Sequence, residues 1–216
     1  VKGCWNLGYC GMGCPTNAKQ SMLLTAIPAA LSRGATLYTR LRAERLRFAG
    51  SQVSALDCSA LQADGIHLSG RQVRFRARHF VVAGGAIGSP ALLMRSSVPD
   101  PYRLLGKRTF LHPVVISSAL MDDRVDAYAG APQSIYSDHF LHQAPIDGAL
   151  GFKLETPPLH PVLYATTLQG YGEAHARLMR DFTKVNVVLA LLRDGFNPAS
   201  RGGRVRLGAG RLPVLD

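Results

Sequence analysis

Two segments concentrate the residue types that could do chemistry. The first is Ala83-Gly84-Gly85-Ala86-Ile87-Gly88-Ser89-Pro90, which follows the β-type run His79-Phe80-Val81-Val82. Glycines let a ligand approach the backbone, a strand aims the chain, and a helix N-terminus presents free N–H groups, the three requirements for cradling a phosphate. The spacing is G-G-x-x-G rather than G-x-G-x-x-G, and no acidic residue stands about 20 positions on to hold a ribose. The segment therefore also reads as a plain strand-to-helix turn. The second segment holds Cys4, Cys10 and Cys14, with Cys58 far away. Thiolates bind zinc or iron–sulfur clusters, yet C-x5-C and C-x3-C match neither the ferredoxin run nor a zinc pair. A Gly-rich structural loop, a local disulfide and a Cys-ligated metal site all stay open. His139 and His142 share one face only in a helix, and the nearby Pro145 and Gly148 place them in a loop instead. No G-x-S-x-G elbow is present, which sets serine hydrolysis aside.

The elements that must position these residues are legible in outline. Residues 3–18 are a loop punctuated by glycines and Pro15. Apolar residues recur at helical spacing from Ala18 to about Arg33, with Pro28 either restarting the helix in a first turn or kinking it. Candidate strands lie near 36–40, 42–48, 52–59, 66–69, 72–77 and 78–83, with Gly50, Asp64-Gly65 and Gly70 as turns. A helix with Ser89 as N-cap and Pro90 in its first position should run to about Arg95. Residues 113–121 read as a buried strand. Later come a strand near 162–168, a helix near 173–182, an apolar strand at 185–192 and a hairpin near 204–215 turning at Gly208-Ala209-Gly210.

Composition narrows the class. The chain has 216 residues, is 47% hydrophobic and carries a net charge of +11. That charge admits a basic binding module for nucleic acid or another polyanion. Most of it, however, is arginine spaced at strand intervals, as in Arg40-Leu41-Arg42-Ala43-Glu44-Arg45 and Arg71-Gln72-Val73-Arg74, which is the pattern of solvated strand faces. No zinc-finger spacing, RNP-type motif or helix-turn-helix accompanies it, so no nucleic-acid partner is expected. No apolar run reaches the 18 residues of a membrane span and no signal peptide is visible, so localisation stays open.

Taken together, Gly84 to Ser97 is similar to the second sequence signature of the glucose–methanol–choline (GMC) oxidoreductases, G-A-I-x-S-P-x-L-L-x-x-S-G. The block Gly8 to Ser21 resembles the G-C-x-x-x-A-K-x-S region of the branch containing long-chain alcohol oxidases. Leu105-Gly106-Lys107-Arg108-Thr109-Phe110-Leu111-His112-Pro113 sits where the family has G-x-N-L-x-D-H. The resemblance implies an α/β (α+β) fold: part of a Rossmann-like FAD-binding domain plus part of an antiparallel-sheet substrate domain. Residues 1–112 would be the C-terminal part of the FAD-binding domain, 113–205 a substrate-domain portion, and 206–216 a return segment toward the FAD domain.

The resemblance also implies site residues. Ala83, Gly84, Gly85 and Ala86 would lie against FAD through their backbone. Ala43 falls where the family often has a Val whose backbone pairs with the adenine. The loop Gly11 to Asn17 would face the flavin, so Cys14 and Asn17 would border the active site, unless Cys14 is simply a small buried residue. His112 matches a structural family position and is not the expected base. The family's opening G-x-G-x-x-G is expected upstream of Val1, and its catalytic histidine downstream of Asp216. No catalytic residue is thus assigned, and the chain is expected to be inactive alone. The implied reaction oxidises the CH–OH of an alcohol, long-chain or bulky and apolar, by hydride transfer to flavin. Apolar surface left uncovered would favour self-association.

Overall fold

Glycine and proline divide this chain into short elements, seen in a computed structural model that describes residues 1–131, 133–157 and 159–216. In chain order they are α1 (Ala26–Leu31), β1 (Leu41–Ala49), β2 (Gln52–Leu61), β3 (Leu68–Phe75), α2 (Gly85–Arg95), β4 (Lys107–Thr109) and β5 (Val114–Leu120). There follow β6 (Tyr136–Ser137), β7 (Phe152–Glu155), α3 (Pro161–Thr167), α4 (Gly172–Arg180), β8 (Val185–Leu192), β9 (Gly203–Leu207) and β10 (Pro213–Leu215). The result is a mixture of helices and antiparallel sheets. It falls into two compact units, each built from two stretches of chain: residues 1–35 with 112–199, and 36–111 with 200–216. The N-terminal segment 1–35 is thus grouped with 112–199 rather than with the residues that follow it.

The first unit centres on a four-stranded antiparallel sheet ordered β5-β8-β7-β6. Along β8, Val185 and Val187 point to one face and are nearly fully buried. They meet Leu159, Tyr164 and Phe182, and Ala127, Tyr128, Leu168 and Met179 pack around this cluster. The ring of Phe182 stacks on Tyr128 at 5.6 Å and tilts against Tyr164 at 5.5 Å. The N-terminal loop is tied to the unit by a parallel bridge between Leu7 and Gly130 and by the Gly130 N–H donating to Asn6 O at 2.9 Å.

The second unit holds two three-stranded antiparallel sheets, ordered β1-β2-β3 and β10-β9-β4. Ala91 and Leu92 of α2 are buried, together with Leu46, Ala55, Cys58 and Val205. Alternation places Ala43, Leu46, Leu56 and Cys58 on the α2 side and Arg45, Arg47 and Arg74 on the other side. There Asp57 receives Arg74 Nε and Arg47 Nε, each at 2.6 Å. Hydrogen bonds from Arg74 and then Arg47 hold its pKa down at about 2, below the unfolded value of about 3.9. A depressed folded pKa contributes stability that is present above the unfolded value and is lost as pH falls through the folded one. Asp57→Asn should therefore lower the urea midpoint at neutral pH, and the gap to the parent should close between about pH 4 and pH 2.

Several expected elements take a different form. Residues 162–168, expected as a strand, form α3, because Pro161 occupies its first turn and His160 Nδ1 accepts from the Val162 N–H at 3.3 Å. These signals outweigh a β-branched composition whose backbone finds no slot in the sheet. β5 is a strand as expected but not a buried one: it lies at the edge of its sheet, and among the described residues nothing packs closely enough on either face to bury any of its seven positions. Residues 36–40 and 78–83 form no ladder. The expected strands at 66–69 and 72–77 merge into one strand, β3. The helix expected with Ser89 as N-cap and Pro90 first begins five residues earlier, at Gly85 with Gly84 as N-cap, and Pro90 lies inside it. Pro28 falls in the first turn of α1, as the restarting alternative requires. The loop at His139 and His142 is a turn, with the His139 ring edge-on to Phe140 at 4.8 Å.

Candidate functional site

The second unit carries a cleft of about 410 Å³ between β1 and the segment that leads into α2. It is lined by Ala43 and Leu46, by Phe80 to Gly84, and by Gly88, Leu92 and Arg95 of α2. Three expected cofactor residues, Ala43, Ala83 and Gly84, thus meet on one cavity. Gly85 and Ala86 form the start of α2 beside it and are not among the lining residues. The glycines differ in what they face. A Cβ on Gly84 would lie 3.0 Å from Ser89 N and 3.1 Å from Gly88 C, so this glycine lets the turn close on its own helix. A Cβ on Gly88 would meet no protein atom within 4 Å and would project into open space.

The cleft wall at β1 is shaped by a bulge, a register shift between Ala43 and Arg45 that leaves Glu44 without a partner in β2. A bulge frees backbone groups from the ladder. Two consecutive residues at the end of α2 satisfy them. Arg95 Nη2 donates to Ala43 O and its Nε to Glu44 O, both at 3.0 Å. Ser96 Oγ accepts from the Leu46 N–H at 2.9 Å while donating to Leu92 O at 2.6 Å. Ser96 is only 4% exposed, so this hydroxyl would be costly to bury without both bonds. Arg95 and Ser96 are visible in the sequence as signature residues. Their role is not, because their partners lie about fifty residues away in the chain.

Cys14 and Asn17 belong to the first unit, in the N-terminal loop. Asn17 is in the left-handed region at φ +51, and its N–H donates to Cys14 O at 3.1 Å. All four cysteines are free thiols. Cys58 is buried, and burial pushes its thiol pKa up. Cys14 is half-buried and goes the other way: the backbone N–H of Lys19 and then the Thr16 hydroxyl, 3.6 Å away, lower it to about 7. A thiolate is the nucleophilic form. Iodoacetamide should therefore label Cys14 half-maximally near pH 7, well below the midpoint for Cys58, as read by mass spectrometry of the labelled peptides. Among the described residues no group of three or more His, Cys, Asp or Glu is placed to hold a metal ion. No helix among them is long and apolar enough to cross a membrane.

In the first unit a separate cavity of about 310 Å³ lies between the β5–β8 face and α3. Ile116, Leu159, Leu163, Leu168, Val187 and Leu189 make it mainly apolar, with Ser118, Tyr164 and Thr167 at its wall.

Residues 1–114 match the family model described as GMC oxidoreductase. The chain is 35% identical over 192 residues to a GMC-type oxidoreductase of Mycobacterium tuberculosis, covering 89% of this chain and 28% of that protein. It is 30% identical over 149 residues to one of Sinorhizobium fredii, covering 69% and 28%. It is 24% identical over 199 residues to a long-chain-alcohol oxidase of Arabidopsis thaliana, covering 87% and 26%. It therefore spans little more than a quarter of the length of these relatives. With more than half of its residues matched by the family model, the chain belongs to the GMC oxidoreductase family.

Proposed function

We propose that this chain is a portion of an FAD-dependent alcohol oxidoreductase, and that the cleft of the second unit receives part of the FAD. The observation that carries the reading is the meeting of Ala43, Ala83, Gly84 and Gly88 on one cavity, inside the region matched by the family model. The wall suits a flat, polar-edged ring system. The small residues Ala43, Ala83, Gly84 and Gly88 stand in its wall beside Arg42, Leu46, Phe80 and Leu92, and the Ala43 carbonyl keeps a second lone pair after accepting from Arg95. A volume of about 410 Å³ holds one end of a dinucleotide rather than all of it. That matches a chain carrying the second family signature and no G-x-G-x-x-G. FAD, when bound, supplies the hydride acceptor for oxidation of a CH–OH group. The chain's own contribution is to bind and orient that group. No residue here is assigned as the base, so the chain alone should not turn over alcohol.

In this proposal residues 1–112 belong with the FAD-binding portion, residues 113–205 with the substrate portion, and 206–216 return toward the former. Cys14 and Asn17 border the reacting centre. Relatives named long-chain-alcohol oxidases and the apolar cavity beside α3 both support an apolar alcohol as substrate.

Titration with FAD, followed by flavin absorbance and fluorescence, tests the reading. Saturable binding without bleaching by alcohols is the expected result. Gly88→Ala is the discriminating variant, because alanine favours a helix by about 1 kcal/mol over glycine and its Cβ meets no protein atom. Its melting temperature should hold or rise while FAD binding weakens several-fold. Unchanged FAD affinity in this variant would remove the cleft from the cofactor site. Absence of binding by both this chain and a protein of the relatives' full length would end the proposal.

A further inference from the structure

Residues three apart on a regular strand face opposite sides of the sheet. Ala43 and Leu46 are three apart on β1, yet both line the cleft. The register shift between Ala43 and Arg45 allows this by leaving one residue, Glu44, without a partner in β2. A straight β1 that kept Leu46, 4% exposed, on the inner face would turn Glu44 inward beside it. Ala43 would then face outward, and a carboxylate would take its place in the wall of a site for an anionic cofactor. With the bulge, that carboxylate instead accepts from Arg42 Nε at 2.7 Å. The bulge thus decides what the cleft presents to an occupant.

Arg95 is shaped to hold that bulge. Its Nε–H and one Nη2–H lie on the same edge of the guanidinium, a planar fork that suits two neighbouring oxygens. They meet Glu44 O and Ala43 O, each at 3.0 Å, at the point where the register shifts. The third nitrogen, Nη1, donates to Arg211 O at 3.4 Å, and Arg211 Nη2 donates back to Arg95 O at 3.4 Å. Arg211 lies in the turn between β9 and β10. One guanidinium therefore ties together the bulge, the end of α2 and the β9–β10 turn. All these bonds go to backbone oxygens, so what they fix is the course of the main chain.

We propose that Arg95 is a positioning residue for the cofactor: by clamping Ala43 O and Glu44 O it holds the bulge that puts Ala43 in the cleft wall and keeps Glu44 out of it. This role rests on the reading of the cleft as an FAD site. It assigns Arg95 no contact with the reacting atoms. Lysine is no substitute, because its ammonium is a point charge without a planar fork. Methionine keeps an apolar stem and has no donor.

FAD titration and hydrogen exchange on Arg95→Met and Arg95→Lys test the role. They are run on the 216-residue chain, or on the protein of the relatives' full length if only that binds FAD. Both variants should bind FAD about tenfold more weakly than the parent, the scale of one hydrogen bond to a charged group. Exchange should speed up at Ala43 to Leu46 and stay unchanged in β3. A purely stabilising role would not give that local pattern, since loss of global stability speeds exchange throughout a sheet. Arg95→Lys carries the test if Arg95→Met fails to fold. Parent-like FAD affinity in either folded variant overturns the proposal while the cleft keeps its cofactor reading. In Arg95→Lys that result would show that charge, not the fork, is what matters. Uniformly faster exchange over β1, β2 and β3 overturns it too. A parent that binds FAD at neither length ends the cofactor reading, and the positioning role ends with it.

Discussion

Replacing Phe182 by alanine should destabilise the first unit by about 3–5 kcal/mol, the range for truncating a buried aromatic residue. The side chain is 7% exposed and sits at the centre of the cluster formed by Leu159, Tyr164, Val185 and Val187. Its ring touches Tyr128 on one side and Tyr164 on the other. Truncation therefore removes two aromatic contacts along with the apolar burial, and aromatic pairs add about 0.5–1.5 kcal/mol each. Tyr128 and Tyr164 reach Phe182 from a loop and from α3, so the cavity cannot close by moving one element. A urea titration followed by near-ultraviolet circular dichroism should show a lower midpoint. Phe182→Leu should recover much of the loss, because it restores most of the volume.

Gly106→Ala should cost the second unit about 3 kcal/mol, the sum of left-handed backbone strain and overpacking. Gly106 has φ +74, and a Cβ there would run into Val205 O and the Met94 methyl. The Met94 side chain can swing away, but the Val205 carbonyl cannot, since Val205 N–H already donates to Gly106 O at 2.7 Å. Val205 is 1% exposed and is packed where β4, β9 and α2 converge. Thermal unfolding should shift down by several degrees, and hydrogen exchange should speed up in β9 before it does in β1. Equal stability of the variant and the parent would mean that β4 and β9 are not held as closely as described.

What the sequence makes legible depends on how locally each signal acts. β8 is clear because eight consecutive residues, Val185 to Leu192, are apolar apart from Asn186 and suit a buried strand. The hairpin of β9 and β10 is clear because Gly208-Ala209-Gly210 is a turn by composition alone. α3 reads as a strand because Val162, Thr166 and Thr167 are β-branched, and the deciding signals are one proline and one histidine cap at its start. Residues 78–83 have the composition of a strand, yet a strand exists only beside a neighbour, and composition says nothing of neighbours. β5 shows the same gap, since its apolar residues announce a strand without saying whether anything lies against it. The glycine-rich turn identifies the cleft, but it cannot separate Gly84, which closes the turn, from Gly88, which opens the space. The clamp of Arg95 and Ser96 on the β1 bulge is out of reach for the same reason. The bulge exists only once β1 and β2 are paired, and the register of that pairing depends on which face is buried.

The two units also impose an order of assembly. Each is built from chain that the other interrupts: residues 36–111 separate the halves of the first, and 112–199 separate the halves of the second. β4 finds its partner β9 only after nearly a hundred intervening residues. Gly106 and Val205 cannot meet until residue 205 has been made, after all of residues 112–199. The second unit's three-stranded sheet of β1, β2 and β3 can form early from local hairpins. Its companion sheet must wait for β9, and the loop that β4 and β9 close contains residues 112–199 of the first unit while residues 1–35 of that unit lie outside it.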